Sequence, residues 1–436
     1  MNPIAATLNE TLTQVNRHVF EMLSSIGEQL FFPKGILTQS AEAKQKAHRT
    51  NATAGIATEK GDIMRLETVA AYVHHMPMAE ALNYAPSFGI LPLREHWKKE
   101  LYQKNASLAG KTISLPVVTN GITHGVSTTA DLWVDPGDVV VVPEMMWGNY
   151  NMIFRVKHGA RFVTYPMFGD QGGFDLTGFG AAVDEAARGR AKIMVILNFP
   201  HNPSGYSVSE HEGREIVRIL AEKAAAGVNV IAVCDDAYFG LFYEPQTLKE
   251  SLFAQLSDQH ERLLAVKLDG ATKENYVWGL RVGFITYGAK LAGEAAPFYE
   301  ALEKKTAGCI RGTISNASHI GQSIVLKSMQ DPQYQVQKAA KFEIMKHRAE
   351  RVKAVLADPK YEAAWQPYPF NSGYFMCLRL KTVAAEPLRV HLLYKYGVGL
   401  ISLGETDLRV AFSCLESEQV AELFDTILQG IQDLQS

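Results

Sequence analysis

Seven short apolar runs mark the middle of the chain: LPVVT, DVVVVPE, ARFVTYP, KIMVILN, VNVIAVCDD, LLAVKLD and LRVGFITYG, all lying between residues 115 and 288. Several are apolar throughout instead of alternating with polar residues, a pattern that suits strands covered on both faces of a largely parallel sheet. Most are separated by segments with helical periodicity, so helices are expected on both faces and the fold class is α/β. Ahead of this region, Leu8, Leu12, Val15, Val19, Met22 and Ile26 recur at alternating spacings of four and three. That spacing predicts one helix with a single apolar stripe, ended by FFPKG and packed on the core or on a second copy of the chain. Beyond residue 330 come a long polar helix (QKAAKFEIMKHRAERVKAVLA), two separated strands (SGYFMCLRL and LRVAFSC) and a final helix, which read as a smaller α+β unit.

Composition narrows the partners. A chain of 436 residues with 47% hydrophobic and 20% charged residues buries a large core, as two domains or as one with an appendage. The formal charge of −3 gives no electrostatic reason to expect nucleic acid, so small molecules are the expected partners. Cys234, Cys309, Cys377 and Cys414 show no CxxC or metal-ligand spacing and read as free thiols in a reducing compartment. Glu10, Arg17, Glu21 and Glu28 interrupt any signal-peptide core, and no stretch has the roughly 18 apolar residues of a membrane span. The expected location is the cytoplasm.

In open parallel sheets ligands bind at the carboxyl ends of the strands, and the residues just after four of the runs are chemically unusual. After LPVVT comes Asn120-Gly121-Ile122, a glycine turn whose backbone N–H groups suit a phosphate. After KIMVILN comes FPHNPSG, whose two prolines and glycine present Asn202; alone it reads equally as a plain turn. After VIAVC comes Asp235, with Tyr238 three positions on; an isolated aspartate there would read as a cap. After LLAVKLDGAT comes Lys273, with Arg281 eight residues further; a lone lysine would read as solvated. Together they meet the needs of pyridoxal 5'-phosphate: a lysine for covalent attachment, an anion for the ring nitrogen, donors for the ring oxygen, a phosphate cradle and a stacking aromatic.

At HNPSG, DDAYFG and TKENYVWGLRVG, in that order, the chain resembles the class I, aspartate and aromatic amino acid type, aminotransferases of fold type I, over nearly its whole length from about residue 50. The resemblance implies a large domain with a mainly parallel seven-stranded sheet flanked by helices and a small α+β domain. It places the N-terminal helix, arm and part of the small domain at 1–62, the large domain at 63–339 and the small C-terminal domain at 340–436. It makes Lys273 the cofactor-bearing lysine, Arg281 a phosphate ligand, Asp235 the partner of the ring nitrogen, and Tyr238 and Asn202 the donors to the ring oxygen. Trp147, in PEMMWGNY, falls at the ring-stacking position, with a core indole as its alternative. Asn120, Gly121 and Ile122 overlie the phosphate turn. Asn120 and Gly270 replace hydroxyl residues common in the family, a loss for which Thr272 is the candidate compensation.

The same resemblance makes Arg409, in DLRVAFS, the clamp on the substrate's α-carboxylate, a task suited to a planar bidentate fork. Gly55 matches a glycine that approaches that carboxylate. Tyr84 matches a tyrosine that reaches the neighbouring subunit's cofactor phosphate, which implies a homodimer with shared sites. Arg311, in IRGTISN, matches an arginine that pairs with a distal carboxylate across the dimer, although Gly312 and Ile314 stand where a proline and a tyrosine are usual; a structural arginine is the alternative. The implied activity is ping-pong transfer of the amino group of an L-amino acid, aspartate or glutamate before aromatic ones, to a 2-oxo acid. Another pyridoxal-phosphate enzyme, a C–S lyase or a decarboxylase, is the alternative. A transcription regulator fits less well, because residues 1–80 hold seven Lys or Arg against eight Asp or Glu and lead straight into Tyr84. NASLAGKT ends like a P-loop but has Asn105 where a glycine is needed, and His74-His75 reads as surface or interface. No metal is expected.

Overall fold

All seven apolar runs form strands of one sheet in the computed structural model, which describes residues 1–32, 35–170 and 172–436. They are β1 (Val117–Asn120), β2 (Val139–Pro143), β3 (Arg161–Tyr165), β4 (Lys192–Asn198), β5 (Asn229–Asp235), β6 (Leu263–Gly270) and β7 (Val282–Ala289), in the order β1-β7-β6-β5-β4-β2-β3. β7 alone runs opposite to the other six strands. Its reversal has a chemical consequence, since its first residues lie at the edge where the other six strands end. Residues 193–198 of β4 and 230–235 of β5 are buried without interruption, as expected for strands covered on both faces.

The N-terminal periodicity is carried by two helices where one was expected: α1 (Pro3–Glu21) and α2 (Ser25–Gln29). Asn16 inside α1 is non-helical, and its side chain accepts from the Val19 amide, while Ser24 caps α2 by accepting from Gly27 at 3.0 Å. These short polar side chains bind the backbone and interrupt a helix that the apolar spacing alone would continue. Pro33 and Lys34 of the FFPKG stop lie outside the described residues. The stripe is not packed on this chain's core: Val15 is 83% and Met22 78% exposed.

The remaining helices that bear on the site are α3 (Ile36–Lys46), α4 (Leu91–Lys104), α5 (Ile122–Trp133), α6 (Ala295–Thr313), α7 (Tyr334–Leu356) and α8 (Ala385–Tyr396). A second, antiparallel sheet joins β8 (Trp365–Pro367), β9 (Phe375–Leu380), β10 (Ile401–Leu403) and β11 (Asp407–Ala411) in the order β8-β9-β11-β10. The N-terminal segment is knitted to this part of the chain: Thr50–Asn51 pair in parallel with Val398–Gly399, and the Ala411 amide donates to the Ala52 carbonyl. Among the described residues no helix is long and apolar enough to cross a membrane.

Candidate active site

The carboxyl end of the large sheet opens into a cleft of about 1270 Å³, whose walls include Gly55, Ile122, Trp147, Asn202, Asp235, Tyr238, Thr272, Lys273, Arg281 and Arg409. Ten candidates separated by as many as 354 positions in sequence are therefore brought to one space. Asn120 and Gly121 flank it at the end of β1. Tyr84, 90% exposed, and Arg311, whose guanidinium donates to Ser315 Oγ at 2.6 Å, stand on the surface of this chain and not among the cleft residues.

Asp235 is the last residue of β5 and is buried. Its Oδ2 accepts from the Tyr150 phenol at 2.6 Å, while Oδ1 is buried with no hydrogen-bond partner among the described residues. Burial lifts its carboxyl to about 6, against the Tyr150 hydrogen bond and the nearby Lys273 ammonium, which pull it down. Lys273 lies on the helical turn Ala271–Glu274 that follows β6, with Nζ 4.8 Å from the centre of the Tyr238 ring. Burial, aided by the Arg281 charge, lowers its amine to about 8 despite the attraction of Asp235. A buried acceptor with a free lone pair thus faces an amine that sheds its proton far more readily than an ordinary lysine.

The turn Asn120-Gly121-Ile122 leads into α5, and Gly121 adopts φ +76°. A Cβ there would lie 2.3 Å from Nη2 of Arg281, so only glycine lets the guanidinium approach the start of the helix. Arg281 sits at the first residue before β7, reaching this edge because β7 is reversed. Thr272 Oγ1 is buried and without a partner among the described residues. A cation, a helix start and a free hydroxyl form a cradle fit for a phosphate. Asn120 is exposed, and its backbone N–H donates to His124 Nδ1 at 3.1 Å.

On the facing wall Arg409, in β11, is buried beneath the cleft. Its Nη1 donates to Asn202 Oδ1 at 3.2 Å and its Nη2 to the Thr53 carbonyl at 2.9 Å, its Nε is unpaired among the described residues, and the guanidinium lies 4.2 Å from the Phe375 ring centre. The fork is held flat and keeps donors for a carboxylate. Trp147 is half-buried, lining the cleft while packed against the core, and edge-on to Tyr150 at 5.5 Å between ring centres.

Two parts of this geometry were not among the expected residues. Tyr150 had a legible signal, a phenol three residues after Trp147 in WGNY. Helix α3, which contributes Gln39, Glu42 and Lys46 to the cleft wall, had none, because its docking rests on contacts across the chain: Gln39 with Ser402, and Glu42 with Arg389 at 3.0 Å. Asn105, where a P-loop would need glycine, is buried and accepts from the Ser251 amide at 2.8 Å, a structural use. His74 and His75 are exposed, and no metal-binding group of His, Cys, Asp and Glu occurs among the described residues.

Comparison with known proteins places this geometry in context. The profile of the family "Aminotransferase class I and II" matches residues 66–427. The chain belongs to that family. It is 28% identical over 204 residues to a Bacillus subtilis protein described as "probable N-acetyl-LL-diaminopimelate aminotransferase", 47% of each chain, and 27% identical over 228 residues to the cytoplasmic aspartate aminotransferase of Saccharomyces cerevisiae, 51% of this chain and 52% of that one. The chain thus spans about half the length of the curated relatives it matches. Among solved structures, an aminotransferase from Anaerococcus prevotii superimposes with a TM-score of 0.82 at 23% identity, covering 93% of this chain and 98% of the other. The kynurenine aminotransferase of Pyrococcus horikoshii does so with a TM-score of 0.79 at 16% identity, covering 96% and 98%. The fold is that of the fold type I aminotransferases, a seven-stranded, mainly parallel sheet with a smaller sheet beside it.

Proposed function

We propose that the chain is a pyridoxal-phosphate-dependent aminotransferase that moves the amino group of an L-amino acid to a 2-oxo acid, each substrate using the same cleft in turn. The observation that carries this reading is the convergence of Lys273, Asp235 and Arg409 on that one cleft. The residues present fit the cofactor: Asp235 Oδ1 for the ring nitrogen, Tyr238 and Asn202 for the ring oxygen, Trp147 for the ring face, and Gly121, Ile122, Thr272 and Arg281 for the phosphate. When bound, pyridoxal phosphate supplies an aldehyde for covalent attachment and a ring that draws electrons from the substrate's α-carbon.

The chain's own groups do the rest. Lys273 Nζ, with its pKa lowered to about 8, has a usable neutral fraction near pH 7 and acts as the base that removes the α-proton. Asp235 opposes a cation at its free oxygen, worth roughly 1.4 to 4 kcal/mol for an opposite charge at close range. Arg409, with Gly55 leaving room, clamps the α-carboxylate and fixes which bond meets Lys273. Arg311 and Tyr84, exposed on this chain, are offered to a second copy, where Arg311 selects aspartate or glutamate before aromatic donors and Tyr84 completes the phosphate site. A homodimer working in the cytoplasm fits the exposed apolar residues and the free cysteines.

The test is to load the protein with pyridoxal phosphate and add amino acids singly, following conversion of the yellow band to the amine form. Aspartate or glutamate is expected to react fastest, and Lys273→Ala to lose both the band and the reaction. Release of sulfide, ammonia or CO₂ in place of amino transfer, or full turnover by Lys273→Ala, defeats the reading.

A further inference from the structure

Directly behind Asp235 lies a second charged layer that the reaction does not touch. Asp236 follows Asp235 and, by strand alternation, points to the opposite side. There it is paired with Lys267 of β6, and it accepts from Ser251 Oγ at 2.6 Å. Lys267 Nζ is also 3.6 Å from Asp269 Oδ2, which accepts from Trp97 Nε1 of α4 at 3.1 Å, and 4.5 Å from the Phe239 ring centre. From β7, Thr286 stands opposite Lys267, and Cys234 pairs with it from β5. Lys267 is 0% exposed and both aspartates are buried. A buried ion cluster is seldom the cheapest way to stabilise a sheet, since well-packed apolar residues usually do as well. Its place is the notable fact. Lys267 lies six residues before Lys273 on the same strand and turn, and its partner adjoins Asp235.

We propose that Lys267 is a positioning residue: seated between Asp236 and Asp269, it locks together the ends of β5 and β6 and cancels the charge of Asp236, leaving Asp235 as the carboxylate that governs the cofactor pocket. This rests on the aminotransferase reading. Without Lys267, two further carboxylates would lie beneath the pocket with no cation between them. On its own side Asp235 meets Tyr150, Lys273 and Tyr238, with the Asp236 charge acting from the other side of the strand end; the groups facing the cluster are Cys234, Ser251, Trp97, Thr286 and, more distantly, Glu274. Asp236 already raises the Asp235 carboxyl, after burial, and Glu274 does the same for Asp269, which burial lifts to about 6.

The test reads the pH midpoint of the yellow absorbance of pyridoxal-phosphate-loaded protein, a quantity that loss of packing alone would not move in a charge-dependent direction. Extra negative charge favours the protonated, cationic form, so Lys267→Met should raise the midpoint by about one pH unit. Asp236→Asn should lower it by a similar amount, and the double variant should return to within about 0.3 unit of the parent. A Lys267→Met protein with the parental midpoint, or a double variant that keeps the shift, overturns the inference while the parent's colour keeps the aminotransferase reading intact. Should Lys267→Met fail to fold, Asp236→Asn alone decides, and a parental midpoint there overturns it. A parent that stays colourless removes both readings.

Discussion

Tyr150, Gly121 and Lys273 each make a measurable claim. Tyr150→Phe leaves Asp235 with two unpaired buried oxygens, a defect of about 1–3 kcal/mol, so affinity for pyridoxal phosphate should weaken about tenfold, as followed by quenching of protein fluorescence. Gly121→Ala places a methyl against Arg281 and forces alanine to φ +76°, which should cost about 1–3 kcal/mol in urea unfolding and weaken phosphate binding. The rate at which cofactor-free protein turns yellow with pyridoxal phosphate should rise with pH and level off above about 8, because only the neutral amine of Lys273 attacks the aldehyde. A midpoint above 10 would show the amine to be solvated. At this scale, the meeting of Ile122, Asn202, Asp235 and Lys273 was legible from their positions after the apolar runs, because a strand end fixes where the next residue points, whereas Gly55, Trp147 and Arg409 were expected only through the family resemblance. Phe375 beneath Arg409 and Thr53 beside it were not legible, since no spacing in the chain announces a contact made by two distant segments.

The element that holds Lys273 is a short turn anchored from two sides. Glu274, buried, pairs with Lys104 of α4 at 2.5 Å and with Lys338 of α7. Burial alone would raise its carboxyl, but the two ammonium groups hold it at about 2. The folded value lies below the unfolded one, so the stabilisation is fully present above about pH 4.5 and is lost as pH falls through about 2. Urea unfolding across that window should show the parent losing stability that Glu274→Gln lacks, while at pH 7 the variant should be weaker by about 1–3 kcal/mol, because half-buried Lys338 loses its carboxylate whereas Lys104 keeps Glu100 at 3.0 Å. The strands of the large sheet were readable because continuous apolar runs leave few other structures open to them. The break between α1 and α2 was not, because apolar spacing reports which face is buried and says nothing of a side chain that bonds the backbone. The reversal of β7 likewise has no signature in the residues of the strand itself.

For the whole molecule, Val15, Met22, Val73, Met78, Leu82 and Tyr84 are large apolar or aromatic side chains left exposed on the single chain, and the proposed homodimer would cover such residues. Sedimentation equilibrium should therefore give a mass near twice that of one 48.2 kDa chain, and Leu82→Asp should shift the balance toward single chains. Amino transfer that falls in parallel would tie the shared site to the pairing of copies.

The backbone of Thr53 and the strand of Arg409 meet only after more than 350 intervening residues have been made. On the proposed function, the residues that would hold the coenzyme, from Gly121 to Arg281, all precede Arg409 in the chain, so the clamp on the α-carboxylate is the last part of the site to be synthesised.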